Sequence, residues 1–200
     1  MAKAENIIRV LATIMGITTL LASTASAVLL SRRAKGRSSG KGAEFRSGLG
    51  VLLMTIGFVA MGILLWRPIS IQVSEQFLFG LTIIGVIFYF SGIGLYLWGL
   101  ITMRSQFAVS SLIGAELYKE HKLVTNGPFA LVRHPLYVGV ILTAVGALLL
   151  FRTWAMAIFT PMSFVVVGRA EREEKLLEQE FGEAWNTYAA KVPKWFPKLW

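Results

Sequence analysis

The side chains able to do chemistry in this 200-residue chain gather in two places. The first is "LVRHPLYVG", residues 131–139, where Arg133, His134 and Tyr137 surround a proline. Pro135 restrains His134 toward an extended backbone and can itself occupy the first turn of a helix. A helix starting there offers unpaired N–H groups and the positive end of its dipole, which suits a carboxylate or another polar ligand. Arg133 strengthens that preference, and Tyr137, one turn in, adds a ring and a hydroxyl. The second place is "RAEREE", residues 169–174. Arg169 and Glu173 are four apart and share a helix face, with Glu174 about a quarter-turn away. Both histidines of the chain, His121 and His134, flank "KLVTNGPFALVR", whose "TNGP" is a turn signal. The connection can therefore fold back and bring the two imidazoles near one pocket. Two histidines without carboxylates at ligand spacing make a poor metal site, so no metal is expected. The absence of cysteine excludes disulfides, thiolate metal sites and a cysteine nucleophile.

The elements that must position these residues are apolar. Hydrophobic residues make up 55% of the chain and charged ones 16%, greasier than a soluble domain, where about 25% are charged. Five segments approach the ~20 residues that cross a hydrocarbon layer: 7–30, 47–66, 77–103, 136–151 and 153–168. The expected fold is thus an all-α integral membrane protein of about five transmembrane helices. Lys3 and Arg9 ahead of a stretch ending in "ASA" at 25–27 have the outline of a cleaved signal peptide. The apolar run continues to Leu30, however, and meets "SRRAKGRSSGKGAEFR", with six Lys/Arg and one Glu, the flank of a retained helix. A net charge of +9 lies between the apolar runs, so membrane orientation explains it better than nucleic-acid binding. Loops 31–46 and 104–135 and the C-terminal helix carry most of the basic residues. That side is expected to be cytoplasmic and the N-terminus outside.

Trp66 has the position of an interfacial anchor, and Pro68 ends the second segment. Glycines at 80, 85, 92, 94 and 99 mark the third as a packing helix. Segments four and five form a tight hairpin at Arg152. After them comes a charged helix with an apolar stripe of Leu177, Phe181, Trp185 and Tyr188. The ending "PKWFPKLW" alternates cations with aromatics as at a headgroup interface. The chain divides at 103, three N-terminal helices preceding a portion, 104–200, that holds both chemical clusters and is expected on the cytoplasmic side.

"HKLVTNGPFALVRHPLYVG", followed about thirty residues later by "R...EE.LL...FG..W..Y...VP...P", resembles the isoprenylcysteine carboxyl methyltransferase family of membrane enzymes and its prokaryotic relatives. The resemblance covers roughly residues 119–197. It implies a pocket for S-adenosylmethionine in which His121, Lys122, Leu123 and Val124 border the adenine and Phe129 packs on the nucleoside. His134, Pro135, Leu136 and Tyr137 would close around the cofactor, and Glu173 would hold its ammonium group. Arg169 would orient the substrate carboxylate, with Arg133 and Glu174 completing the candidate catalytic set. The family commonly has tyrosine at the position of Phe129, so stacking replaces a hydroxyl contact there. The implied reaction is methyl transfer to a lipophilic acceptor in the membrane, a prenylated cysteine carboxylate being the reference substrate. Such a carboxylate is already nucleophilic. An amine acceptor, as in phospholipid N-methyltransferases, needs to lose a proton, for which His134 or Glu174 could serve. A non-catalytic membrane scaffold is the alternative outside enzymology.

Overall fold

Glycines 85, 92 and 99 recur every seventh residue, and seven residues make nearly two helical turns, so they fall on one face. Gly139 and Gly146 repeat the pattern on a second helix. In the computed structural model, which describes residues 2–33, 48–70, 72–103 and 123–197, these two faces meet backbone to backbone. A Cβ on Gly92 would lie 2.5 Å from the Thr143 nitrogen, and one on Gly139 would lie 2.8 Å from the Gly92 carbonyl oxygen. One on Gly85 would lie 2.9 Å from the Leu150 nitrogen. Only glycine permits this approach, which replaces side-chain contact with close van der Waals packing along the whole helix pair.

Among the described residues the helices are α1 (Ala2–Arg33), α2 (Gly48–Leu64), α3 (Glu75–Met103), α4 (Pro135–Phe151), α5 (Trp154–Ser163), α6 (Val165–Phe181) and α7 (Glu183–Lys191), with a 3-10 turn at Gly127–Ala130 before α4. The expected all-α class holds among the described residues, where the one β-type contact is an isolated bridge between Pro68 and Thr153. The α3–α4 pair is the spine. Around it α1 is fixed by Tyr89, whose hydroxyl donates to the Ala12 carbonyl at 2.8 Å, and by Tyr96, which donates to Ser23 at 3.1 Å. Helix α2 joins α5 through stacked rings of Phe58 and Phe159, 4.1 Å between centroids.

Among the described residues, two helices are long and apolar enough to cross a membrane alone, over Lys3–Ser26 and Glu75–Met103, with shorter apolar helices at Leu52–Leu64 and Pro135–Phe151. The 17 residues of α4 extend about 25 Å at 1.5 Å each. Their outer faces are apolar: Leu53, Ile87 and Ile101 are more than half exposed. An exterior of this kind belongs against lipid.

Two expected boundaries differ. The fifth segment, read as one helix over 153–168, ends at Ser163, two residues after an in-helix Pro161. The Phe164 nitrogen donates to the Pro161 carbonyl at 3.1 Å, a tight turn that closes α5 before α6 begins at Val165. The charged helix, read as continuous, breaks at Gly182, whose φ of 52° and ψ of −119° suit glycine alone. The stripe of Leu177, Phe181, Trp185 and Tyr188 is thereby divided between two helices, with only Trp185 and Tyr188 fully buried.

Polar groups collect at the two ends of the spine. At one end Arg152, in the left-handed conformation at φ 51°, sends Nη1 to the Leu78 carbonyl at 3.0 Å and to Thr82. Its Nη2 pairs with Glu5, which also accepts from Arg9 at 2.7 Å and Thr82 at 3.1 Å. At the other end, where α4 begins, lies the second and larger cluster.

Candidate functional site

The approach to α4 is a folded corner. Gly127 takes a positive φ of 59°, and a Cβ on it would meet Thr102 Oγ1 at 2.8 Å, so the turn seats on the last turn of α3. Pro128 follows, and its carbonyl accepts from the Leu131 and Val132 nitrogens at 3.1 and 3.2 Å. Phe129 is buried, and its carbonyl accepts from the Tyr188 hydroxyl of α7 at 2.7 Å. Burial pushes the Tyr188 hydroxyl up to about 12, which keeps it a donor.

His134 caps α4 with φ −123° and ψ 58°. The backbone leaves the helical region, as a following proline requires, without becoming fully extended. Its side chain makes no capping bond because Nε2 is committed elsewhere, 2.9 Å from Glu174 Oε1. The ring is 5% exposed and has two aromatic neighbours: Tyr137 stacks at 5.5 Å and 13°, and Trp195 lies tilted at 5.4 Å and 35°.

Glu174 is the hub. Oε1 also accepts from Arg133 Nε at 2.9 Å, and Oε2 pairs with Lys194 Nζ at 3.2 Å. Burial works to raise this carboxyl, but hydrogen bonds from His134, Arg133 and Lys194 hold it down at about 2. An ionised carboxylate only accepts, so Nε2 of His134 carries the proton of that bond. Arg133 is also tied down on its other side, Nη1 donating to the Ala189 and Val192 carbonyls at 2.8 and 3.0 Å. A guanidinium there suits the negative end of α7.

Tyr137 and α6 form a second constellation beside the first. The Tyr137 hydroxyl donates to Glu173 Oε2 at 2.8 Å and is also hydrogen-bonded to Arg169, one turn earlier on α6. Ala170, wholly buried, seats this stretch of α6 in the core. An acid, a phenol and a guanidinium thus converge, with cation and anion on one helix face as the i, i+4 spacing predicts.

The structure brings Arg133, His134, Pro135, Tyr137, Glu173 and Glu174 together, with Arg169 at the same corner. Leu136 lies on α4 toward α3, its side chain against the position of Gly99. Leu123 and Val124 precede the turn, half-buried, while His121 and Lys122 lie outside the described residues. No group of three or more metal-ligating side chains occurs among the described residues. Sequence reasoning missed Lys194 and Trp195, assigned to a headgroup interface and found turned inward on Glu174 and His134. The available signal was Pro193, whose carbonyl accepts from the Arg133 nitrogen at 2.9 Å and turns the tail onto the corner.

Residues 83–179 match the model of the isoprenylcysteine carboxyl methyltransferase (ICMT) family. The chain is 30% identical over 109 residues to a protein-S-isoprenylcysteine O-methyltransferase of Schizosaccharomyces pombe, covering 54% of this chain and 46% of that protein. It is 38% identical over 91 residues to protein-S-isoprenylcysteine O-methyltransferase B of Arabidopsis thaliana, covering 43% and 45%. It is also 34% identical over 83 residues to the nickel-cobalt-cadmium resistance protein NccN of Alcaligenes xylosoxydans xylosoxydans, covering 40% and 38%. The chain spans less than half the length of each of these relatives.

Proposed function

We propose that this chain, whose residues 83–179 match the model of the isoprenylcysteine carboxyl methyltransferase family, transfers a methyl group from S-adenosylmethionine to a lipophilic carboxylate held in the membrane. The observation that carries the reading is the Tyr137 hydroxyl, shared between Glu173 and Arg169 inside the matched segment. One carboxylate and one guanidinium beside one phenol are complements for two opposite charges held a short distance apart.

The residues fit the cofactor. S-adenosylmethionine brings a sulfonium, an ammonium and a carboxylate, and the corner offers Glu173 for the ammonium and the start of α4 for the carboxylate. When bound, it supplies an activated methyl group. Leu123, Val124 and Phe129 border the adenosine side in this reading, together with His121 and Lys122, and Pro135 and Leu136 set the helix start beneath it. Arg169 orients the acceptor carboxylate, and Tyr137 fixes Arg169 and Glu173 relative to each other. Methyl transfer needs alignment above all, so holding the two partners in line supplies most of the rate. Arg133 and Glu174 serve by bracing His134. With three donors on its two oxygens, Glu174 is poorly placed to take a proton, which favours an acceptor that is nucleophilic without a base.

The same reading places five crossings in the membrane, the N-terminus outside, and this corner and the C-terminus in the cytoplasm. Residues 1–103 supply three of the membrane helices, and 104–200 form the catalytic portion with the hairpin 136–168, the two parts joined by the α3–α4 glycine contact.

The test is incubation of the detergent-purified or vesicle-embedded protein with methyl-labelled S-adenosylmethionine, lipid extracts and prenyl-cysteine analogues. A base-labile labelled ester is expected; a base-stable product would move the assignment to an amine. Arg169→Ala should lose turnover by at least about a hundredfold while binding cofactor, as for loss of a transition-state contact. Glu173→Ala should weaken calorimetric cofactor affinity by roughly tenfold or more, the size of one charge-assisted bond. Folded wild-type protein without measurable cofactor affinity sinks the reading.

A further inference from the structure

Chain-distant parts of the corner are held together by four residues at the end of the described chain. Pro193 accepts from the Arg133 nitrogen and Val192 from the Arg133 guanidinium. Lys194 bridges to Glu174 Oε2, the oxygen opposite the one that holds His134. The Trp195 ring lies 5.4 Å from the His134 ring, tilted by 35°, and Lys194 Nζ lies 5.7 Å over the Trp195 ring. The tail therefore touches both partners that define the histidine's orientation, its hydrogen-bond acceptor and its ring face.

We propose that residues 192–195 form a strap that positions His134, with Trp195 as the positioning residue and Lys194 as its electrostatic anchor. Two bonds define an imidazole's placement: the hydrogen bond at Nε2 sets the tautomer and the in-plane direction, and the stacked rings set the plane. Glu174 and Tyr137 supply one of each. Without Trp195 the ring keeps a single aromatic neighbour and becomes open to water, which competes for the Nε2 proton. Without Lys194, Glu174 loses the cation that holds its second oxygen and can rotate away from His134. The strap's consequence for ligand binding rests on the cofactor reading above; its effect on the histidine does not.

The test uses full-length protein labelled with 15N-imidazole, in detergent micelles or nanodiscs. The chain has two histidines, so His134→Gln assigns the signals. In the wild type His134 is expected as a single species with a slowly exchanging Nε2 proton. In Trp195→Ala that proton should exchange fast and the ring signals shift or broaden. Trp195→Phe should restore them, because an aromatic ring at that position is what is required. Lys194→Met, a milder change that keeps Trp195, should shift the same signals and serves where Trp195→Ala fails to fold. Calorimetric S-adenosylmethionine affinity should fall roughly three- to tenfold in Trp195→Ala, the size of one aromatic contact, and recover in Trp195→Phe. Wild-type His134 spectra in both Trp195→Ala and Lys194→Met, or a Trp195→Phe no better than Trp195→Ala, would overturn the strap. Wild-type protein that binds no cofactor overturns the cofactor reading, and the imidazole spectra still decide the strap.

Discussion

Glu174 collects three cations or donors on two oxygens, and its behaviour in acid follows. Its folded-state pKa of about 2 lies below the ordinary 4.5, so the unfolded chain binds the proton more readily. The stability it contributes is complete above about pH 4.5 and drains away as the pH falls toward 2. Denaturant unfolding in a fixed detergent should therefore show an acid limb in that window. Glu174→Gln should flatten the limb and cost about 1–3 kcal/mol at neutral pH, because Arg133 and Lys194 lose their counter-charge. A limb of unchanged slope in the variant would show that the carboxylate is not paired in this way. At this scale the sequence was informative about identity and silent about partners. Spacing put Arg169 and Glu173 on one face, and Pro135 located His134 at a helix start. Nothing local told Glu174 from Glu173, although they differ completely in use: one is enclosed by His134, Arg133 and Lys194, the other meets Tyr137. That distinction arises from where α6 lies against α4, a tertiary fact with no periodic signature. Lys194 and Trp195 were hidden for the same reason, since a cation beside an aromatic reads alike at a lipid interface and over a buried imidazole.

The helices themselves were the most legible part, because lipid-facing segments must be apolar throughout and their lengths show directly. What hydropathy could not reveal was the break at Phe164, where Pro161 sits in an otherwise acceptable helical pattern, or the turn at Gly182, where the amphipathic stripe continues across a reversed backbone. The glycines of α3 were recognised as packing residues, yet only their register against α4 separates the two kinds. Gly92 lies against the Thr143 nitrogen and the Gly139 carbonyl, whereas a Cβ on Gly94 meets nothing within 4 Å. Gly92→Ala must separate two backbones that have no flexible atom to yield, and should destabilise the protein by about 1–3 kcal/mol through overpacking. Gly94→Ala fills open space and removes a poor helix former, so it should be neutral or stabilising by up to about 1 kcal/mol. Paired thermal unfolding measurements in one detergent decide the matter. Equal effects at 92 and 94 would mean that the α3–α4 contact is not the spine.

Seen as a whole, the molecule carries its charges at two ends of an apolar shaft. Glu5, Arg9, Thr82 and Arg152 close one end, at the start of α1, the start of α3 and the end of α4. The corner of Arg133, His134, Glu173 and Glu174 closes the other, at the start of α4. A half-buried ion cluster at each end, with glycine-packed helices between, is an arrangement lipid favours. Polar backbone and charge are tolerated only where water, or a partner group, can be reached. Helix α1 runs parallel to α3, Glu5 beside Thr82 and Ser23 beside Tyr96, so it ends toward the corner, and the basic stretch 34–46 follows it in sequence. In the proposed orientation the corner faces the cytoplasm, as the positive-inside tendency favours. Absence of native cysteine makes this directly measurable with single introduced thiols. Ser38→Cys, in the basic loop, should react with a membrane-impermeant maleimide only after cells are opened. Ser70→Cys, exposed in the connection between α2 and α3, should react in intact cells. The reverse pattern would place the corner outside, away from the cytoplasmic cofactor supply, and the methyltransfer reading would lose its source of methyl groups. Labelling of both positions from one side would instead remove the α2 crossing, leaving α2 as a helix lying along the membrane rather than through it.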